Sequence, residues 1–337
     1  HRDLHSFPTR RSSDLLDGAG EVLLDDISVI ETPAGTPKQL IQNGDFKGGS
    51  AAHWRFLGTH RHSRVEPDPG QPGNFVLHLR ASAYGEYQGN QIETTFTNNM
   101  AIVDVREYEI SFRAKWLAGK SLLNSRLYFN RLARTVQLAV PPRNGTPGAP
   151  NSRAAGNLGP TYHNLSHQPV VPDPGQPVTV SVEASDPDGV DSLDLWYSVS
   201  GGTWQRVAMS DTIPSSASIP GQPAASVVQF YVAGADPHGA VSTFPAGGTN
   251  SRALYRVQDN QAGGGSLRNF RIIMTPADAA FLHTGTNTLS NELLGCTVVD
   301  NEREVFYDAG VRLKGSFVGR NVDRVGFHVQ FQPDRLF

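Results

Sequence analysis

Short stretches of alternating apolar and polar residues dominate the chain, separated by turns rich in Gly, Pro and Asn. In the stretch from Tyr108 to Trp116 every second residue is apolar, and Val178, Val180 and Val182 form a similar row further on. A period of two is that of a β-strand with one buried face. Several such strands at regular spacing predict antiparallel β-sandwiches, so we expect a mainly β fold.

The composition agrees with a turn-rich protein. The 337 residues include 34 Gly and 23 Pro, and only 18% are charged, which is unusual for a helical cytosolic enzyme. Because the net charge of −3 is spread without blocks, we expect neither nucleic acid nor an anionic membrane as a partner. No apolar run approaches the length of a membrane span. A single cysteine, Cys296, excludes an internal disulfide framework and fits either an exported bacterial protein or a reducing compartment.

The first two segments are unlike the rest of the chain. Residues 1–15, HRDLHSFPTRRSSDL, have no apolar period. Translated back into codons, they match a standard short-read sequencing adapter in one frame, so we expect an artefactual segment outside the fold. Residues 16–32 form one alternating strand with a bulge at the paired aspartates Asp25 and Asp26. Since one strand cannot bury its face alone, we expect the last strand of a truncated module whose other strands precede it.

Three larger segments follow. Residues 38–140 predict one β-sandwich and residues 161–258 a second, joined by a Pro- and Gly-rich linker at 141–160. Residues 266–337 follow a GGGS hinge, and there the pattern changes. A strand leads into a short helix that starts at Thr275 and Pro276, and further strands come after it.

The two sandwiches resemble known extracellular modules. Residues 38–140 open with Asn43-Gly44-Asp45-Phe46 and have Trp54 shortly after. In this they resemble jelly-roll modules of the carbohydrate-binding kind, and residues 16–32 resemble the final strand of such a module. Residues 161–258, with their DPDG turn, resemble immunoglobulin- or fibronectin-like sandwiches of bacterial surface and secreted proteins. These resemblances imply an extracytoplasmic bacterial protein, secreted or on the cell surface, with polysaccharide or cell-surface proteins as partners.

The last segment resembles the beginning of the CotH spore-coat kinase family. The resemblance lies in the motifs MTPAD and YDAGVRLKGS and in a basic stretch that leads into a strand with Phe and Gln. It implies the truncated start of an α+β kinase-like domain, with ATP and a divalent metal expected only for the complete parent protein. Arg312, Lys314, Gly315 and Ser316 are then candidate contacts to ATP phosphates. Alternatively, Arg312 and Lys314 are solvated side chains of an edge strand.

Two further candidate sites follow from residue chemistry. Tyr84 and Tyr87 lie in a Gly-rich loop and could stack on sugar rings, whereas Trp54 and Trp116 are in phase with core positions. A second group of residues places hard oxygen atoms in turns and is a weak candidate for calcium. It consists of Asp186, Asp188 and Asp191, with Asp236 as a further member, and the pair Asp25 and Asp26 is a candidate of the same kind. The Asp-Pro-Asp-Gly sequence is, however, first of all a turn sequence.

The sequence therefore predicts a fragment of an exported modular protein that resembles CotH-type atypical protein kinases. Its N-terminal modules would serve binding or spacing, and its kinase region would be incomplete and inactive, because the catalytic carboxylates should follow Phe337. We assign no catalytic residue, and whether the parent is an ATP-dependent protein kinase stays open. The alternative is an extracellular carbohydrate-binding, adhesion or spacer protein without catalytic activity.

Overall fold

The structure is a computed structural model that describes residues 11–85, 89–127, 133–141, 155–261, 268–316, 318–335 and 337. The chain divides into two compact units. Unit 1 consists of residues 1–144, 284–292 and 313–326, and unit 2 of residues 145–283, 293–312 and 327–337. Within the described ranges, no helix is both long and apolar enough to cross a membrane. The predicted mainly β fold is confirmed.

The described strands of unit 1 form two antiparallel sheets. The first has the order β10-β9-β1-β7-β4. In the second, β2 pairs with β8 along one edge and with β6 and β3 along the other, and β5 pairs with β6. Short 3₁₀ turns lie at 58–60 and 97–99. The strands are β1 (Arg11–Leu16), β2 (Gly20–Glu31), β3 (Lys38–Gln39), β4 (Trp54–Phe56), β5 (Arg64–Pro67), β6 (Phe75–Ala81), β7 (Ile92–Thr95), β8 (Tyr108–Gly119), β9 (Leu122–Arg126) and β10 (Ala133–Gln137).

Alternation along the strands builds the core of unit 1. Leu24 of β2 lies opposite Leu77 of β6, and both side chains are buried in one apolar cluster. Trp54 is buried as well, and its Nε1 donates to the carbonyl of Asn43 at 3.0 Å. Trp116 packs against the same cluster from β8. Burial of each large apolar side chain contributes about 2 kcal/mol to the stability of the fold. The alternating apolar residues therefore determine which face of each strand points inward.

Strand β2 lies in the centre of this sandwich. The alternation of residues 16–32 predicts the last strand of a separate, truncated module, but β2 instead pairs with β6 and β8 of the following segment. The physical reason is that a strand stabilises its backbone groups and its apolar face only between neighbouring strands. The predicted bulge at Asp25 and Asp26 is present, because the register with β8 shifts between Asp25 and Ser28.

Strand β1 also belongs to unit 1. Residues 1–15 were expected to lie outside the fold, but residues 11–15 form β1 together with Leu16, and β1 pairs with β7 and β9. Leu15 and Leu16 are buried and anchor the strand. Sheet pairing uses backbone groups that every residue except proline carries, so a run without apolar period can occupy this position. Residues 1–10 lie outside the described part of the chain.

The described strands of unit 2 form three sheets. Their orders are β11-β12-β15, then β14-β13-β16-β17 with β18 paired to β16, and β19-β20-β21-β22. Short 3₁₀ turns lie at 248–250 and 318–320. The elements are β11 (Thr161–Gln168), β12 (Val178–Ser185), β13 (Ser192–Val199), β14 (Gln205–Ala208), β15 (Ser215–Ile219), β16 (Val227–Ala235), β17 (Val241–Phe244), β18 (Ala253–Arg256), β19 (Phe270–Ile273), α1 (Pro276–Leu282), β20 (Leu294–Asp300), β21 (Glu304–Lys314) and β22 (Gly326–Gln330).

The last segment packs against the second sandwich. Leu254 of β18 shares an apolar cluster with Ile273 of β19 and Val299 of β20. The Leu254 amide donates to Oγ1 of Thr297 at 2.8 Å. The predicted helix start is confirmed, since Oγ1 of Thr275 accepts from the amide of Asp278 at 3.1 Å. Among the described residues, the segment therefore supplies a small sheet and one short helix that are part of unit 2.

Candidate functional site

An open cavity of about 240 Å³ lies on the outer face of the β8-β2-β6-β5 sheet in unit 1. Strand alternation positions its side chains. Because Leu24 points into the core, Leu23 and Asp25 on either side of it point outward, and Asp25 lies opposite Arg113. The cavity is lined by Leu23, Leu24, Asp25, Asp68, Gly70, Gln71, Val76, Arg113, Ala114 and Lys115.

Two carboxylates are fixed by hydrogen bonds at this cavity. Asn74 Nδ2 donates to Asp25 Oδ2 at 3.0 Å and to Asp68 Oδ2 at 3.2 Å. The remaining oxygens accept from backbone amides, Asp25 Oδ1 from Asp26 at 2.8 Å and Asp68 Oδ1 from Gly70 at 2.7 Å. The hydrogen bond from Gly70, followed by that from Asn74, lowers the pKa of Asp68. Each of the four carboxylate oxygens thus already has a donor.

Cationic and amide side chains form the rim of the cavity. Arg113 Nη1 lies 3.2 Å from Asp26 Oδ2 and 3.6 Å from Asp25 Oδ2, and the Arg113 side chain is 62% exposed. Lys115 follows on the same face of β8 and is exposed, as is Gln71 in the β5–β6 turn. The floor is apolar, because Leu23 and Val76 are buried there. An apolar floor with a few converging polar groups is typical of small-molecule sites.

A row of ion pairs on the same sheet face supports the strands of the cavity. His78 of β6 lies between two carboxylates, with Nε2 2.9 Å from Glu21 Oε2 and Nδ1 2.9 Å from Glu66 Oε1. The first contact is a hydrogen bond, whereas the second lacks hydrogen-bond geometry. Arg80 contacts Glu21 at 3.2 Å. Burial raises the pKa of Glu21, but the His78 hydrogen bond and the Arg80 charge outweigh it, and the net pKa is lowered. These contacts link β2, β5 and β6.

Of the two predicted sugar-stacking tyrosines, only Tyr84 belongs to the described residues, and it does not line the cavity. Tyr84 is 51% exposed and forms a β-bridge with Asp17, and it is not among the residues that line the cavity. Tyr87 lies outside the described residues. Sugar stacking by these side chains therefore stays a prediction. Nor do the proposed phosphate contacts Arg312, Lys314, Gly315 and Ser316 line the cavity.

Strand β21 and the turn after it position these candidate phosphate contacts. Arg312 is half-buried and Lys314 is exposed, because the intervening Leu313 points into the protein. Gly315 has a φ of +108°, a conformation that favours glycine. Its carbonyl accepts from Arg320 Nε at 2.8 Å. The buried Arg320 also donates to the Ser290 carbonyl at 2.9 Å, so it is used within the protein and fixes this turn.

The aspartate cluster of unit 2 differs in one member from the predicted set. Carboxylate oxygens of Asp186, Asp188 and Asp236 lie within 4.8 Å of one another, whereas Asp191 is not part of this cluster. Asp236 Oδ1 accepts from the amides of His238 and Ala240 at 2.9 and 2.8 Å. Burial opposes ionisation of Asp236, but these bonds and one from Asn157 lower its pKa. The aspartates therefore stabilise turns, and their binding of calcium stays a prediction.

No family model matches the chain, and no curated protein is similar to it. The cavity residues must therefore be interpreted from their own chemistry. The sequence predicts the pair Asp25 and Asp26 as a bulge and as a weak calcium candidate, whereas Asp68, Asn74 and Arg113 are not among its predicted site residues. One signal was available, since the alternation of β8 places Arg113 and Lys115 on the face opposite Trp116. The pairing of β2 with β8 could not be inferred from sequence spacing.

Proposed function

We propose that unit 1 binds carbohydrate at the cavity on the outer face of its β8-β2-β6-β5 sheet. The observation that supports this proposal most directly is the pair of Asn74 hydrogen bonds to Asp25 and Asp68, which fixes the polar wall of the cavity. Lys115 and Gln71, together with the Nε and Nη2 groups of Arg113, offer side-chain donors that no hydrogen bond in the described part of the chain uses, and these donors surround an apolar floor. Sugars present oxygen acceptors around the rim of a ring and apolar C–H groups on its faces, and this combination complements such a cavity.

The wider role follows from the resemblances of the sandwiches. We propose that the protein is extracytoplasmic, secreted or on the surface of a bacterial cell, and that unit 1 attaches it to a polysaccharide. Phosphoryl transfer stays a prediction that rests on the resemblance of residues 266–337 to CotH kinases. The described cavity does not include the residues proposed for it. Carbohydrate binding without catalysis is therefore the function we favour for this chain.

A glycan array with the full chain tests this proposal, followed by isothermal titration calorimetry of each positive glycan. We expect binding that falls at least tenfold in Gln71→Ala combined with Arg113→Ala. The matched control is Arg206→Ala. Arg206 is 60% exposed, pairs with Asp194 on a sheet in unit 2, and is as accessible as Arg113. Binding to no glycan, or equal loss in the control variant, would refute the proposal.

A further inference from the structure

We infer that unit 2 carries a binding surface of its own, an aromatic platform of Trp196, Trp204 and Tyr231 that stacks on the pyranose rings of a neutral polysaccharide. The platform shares no residue with the cavity of unit 1, so it is a separate site. Its position, its size and the charges around it each restrict the kind of ligand.

Strand alternation places two of the rings on the outer face of the β14-β13-β16-β17 sheet. Trp196 follows the buried Leu195 of β13, and Tyr231 follows the fully buried Phe230 of β16. Because successive side chains of a strand point to opposite faces, Trp196 and Tyr231 point away from the core. The two residues lie directly opposite each other in the pairing of β13 with β16.

The hairpin between β13 and β14 adds the third ring. Trp204 packs edge-on against Tyr231, with ring centroids 5.1 Å apart, and Trp196 lies nearly parallel to Tyr231 at 6.2 Å. The hairpin is fixed by Ser198, which is only 2% exposed and donates from Oγ to the carbonyl of Gly202 at 2.7 Å. The rings are therefore ordered before a ligand binds, which lowers the entropic cost of binding.

The exposed area of the platform suits a sugar better than a protein. All three aromatic side chains are half-buried, so together they expose on the order of 200 Å². A protein partner of standard size covers about 800 Å² on each side of its interface. The platform is too small for such a partner, whereas it is large enough for one or two sugar rings.

The contacts between the rings also favour a sugar. An aromatic cage for a quaternary ammonium group needs a gap between its rings, but here Trp196 and Trp204 both contact Tyr231 and leave no such gap. The rings instead form a continuous apolar surface. A β-1,4-linked glucose ring has equatorial hydroxyls and apolar C–H groups on both faces, so it complements this surface.

The charges of the second sandwich disfavour an acidic ligand. Residues 161–258 contain no lysine, and their acidic residues outnumber their arginines. Each arginine has a carboxylate partner at 2.7 or 2.8 Å, in the pairs Arg206–Asp194, Arg252–Asp278 and Arg256–Asp259. A uronate would therefore meet a negative field without an available cation. We conclude that the ligand is neutral, with Arg206 engaged by Asp194 and not used for binding.

The test is calorimetric titration of the full chain with three hexasaccharides: neutral cellohexaose, a galacturonate hexamer and a glucosamine hexamer. The chain carries Gln71→Ala and Arg113→Ala, so that the cavity of unit 1 does not contribute. We expect at least tenfold tighter binding of cellohexaose than of the galacturonate hexamer. Trp196→Ala and Trp204→Ala should each weaken cellohexaose binding at least tenfold, whereas Tyr231→Phe keeps the ring and should change it less than twofold.

Two control variants lie in unit 2. Phe327→Ala removes a ring that is 42% exposed on β22, and Arg206→Ala leaves all three rings of the platform in place. Neither should change cellohexaose binding more than twofold. An equal loss in Phe327→Ala, or unchanged binding in both tryptophan variants, would overturn the platform. Tighter binding of either charged hexamer would overturn the choice of a neutral ligand.

The cavity and the platform fail separately. Cellohexaose binding that is present in the wild-type chain and absent in the cavity variant would overturn the platform and leave the function proposed for unit 1 standing. Binding that persists in the cavity variant and is lost with the tryptophans supports the platform, whatever the result for the cavity. If Trp196→Ala unfolds unit 2, Trp204→Ala decides alone, because Trp204 precedes β14 and is not paired in the sheet.

Discussion

The side-chain amide of Asn74 bridges Asp25 and Asp68, with Nδ2 3.0 Å from the first carboxylate and 3.2 Å from the second. Asp25 belongs to β2, and Asp68 begins the turn that leads to β6. One residue therefore joins a central strand to the turn that closes the cavity. It also supplies a donor to a carboxylate that is only 5% exposed.

Asn74→Ala should destabilise unit 1, because Asp25 Oδ2 loses its hydrogen bond in a buried position. We expect a decrease of about 1–3 kcal/mol in the free energy of unfolding, together with loss of carbohydrate binding. Chemical denaturation measures the first effect and calorimetry the second. The control is Gln137→Ala, which removes a side-chain amide from the exposed face of β10 and should cost less than about 0.5 kcal/mol. Equal stability of Asn74→Ala and wild type would contradict the bridging role.

A buried histidine should make unit 1 sensitive to acid. His60 is fully buried, and burial lowers its pKa to about 4. Its Nε2 accepts from the amide of Leu16 at 3.0 Å, so the neutral ring is the form that fits. Because the folded pKa lies below the ordinary value of 6.5, the unfolded chain takes up the proton first as the pH falls. The stabilisation is thus fully present above about pH 6.5 and declines toward pH 4, by roughly 3 kcal/mol in total.

The measurement is the free energy of unfolding of unit 1 between pH 8 and pH 4, in wild type and His60→Gln. Wild type should lose stability below pH 6.5 more steeply than the variant, and the two slopes should agree between pH 7 and pH 8. The hydrogen-exchange protection factor of the Leu16 amide, corrected for the intrinsic exchange rate at each pH, gives a local readout that should fall over the same interval. Parallel curves across the whole range would show that His60 does not carry this acid sensitivity.

The sequence alone predicts those elements that depend on a local alternation of apolar and polar residues. The apolar rows of β8 and β12 and the Thr275 cap of α1 follow from spacing that is visible along the chain. The cavity could not be predicted in the same way, because it depends on the pairing of β2 with β8, which are separated by most of unit 1. The apolar pattern of a strand indicates that it needs a neighbouring strand but does not identify that neighbour. For this reason the sequence predicts residues 16–32 as part of another module.

The single cysteine should be chemically inert in the native protein. Cys296 is fully buried in β20, and burial, aided by the charge of Asp308, raises its thiol pKa to about 12. Since the thiolate is the reactive form, both access and ionisation oppose modification. A thiol reagent such as dithionitrobenzoate should label less than one tenth of the native chain in an hour at pH 8 and all of it in denaturant. Rapid labelling of the native chain would show that β20 opens readily.

The kinase resemblance makes a separate prediction about Lys314. If the turn after β21 contacts ATP phosphates, the full chain should bind ATP with magnesium, and Lys314→Ala should weaken this binding at least tenfold through the loss of a positive charge. Calorimetry or nucleotide fluorescence measures it. Lys47→Ala is the control, because the Lys47 side chain is 75% exposed and pairs with Asp45. Undetectable ATP binding, or the same loss in both variants, would restrict Lys314 to the role of a solvated side chain.

A strained residue in unit 1 offers a stabilising substitution. Val105 has a φ of +59° and is fully exposed, so no packing of its side chain offsets the strain. A β-branched residue in the left-handed region crowds its own backbone, whereas glycine adopts it freely. We expect Val105→Gly to raise the free energy of unfolding by about 1 kcal/mol, after allowance for the greater freedom of glycine in the unfolded chain. Val103→Gly should bring no gain, since Val103 is 43% exposed but does not have a positive φ. Thermal melts of both variants measure the difference, and a lower melting temperature for Val105→Gly than for Val103→Gly would show that relief of backbone strain does not stabilise this loop.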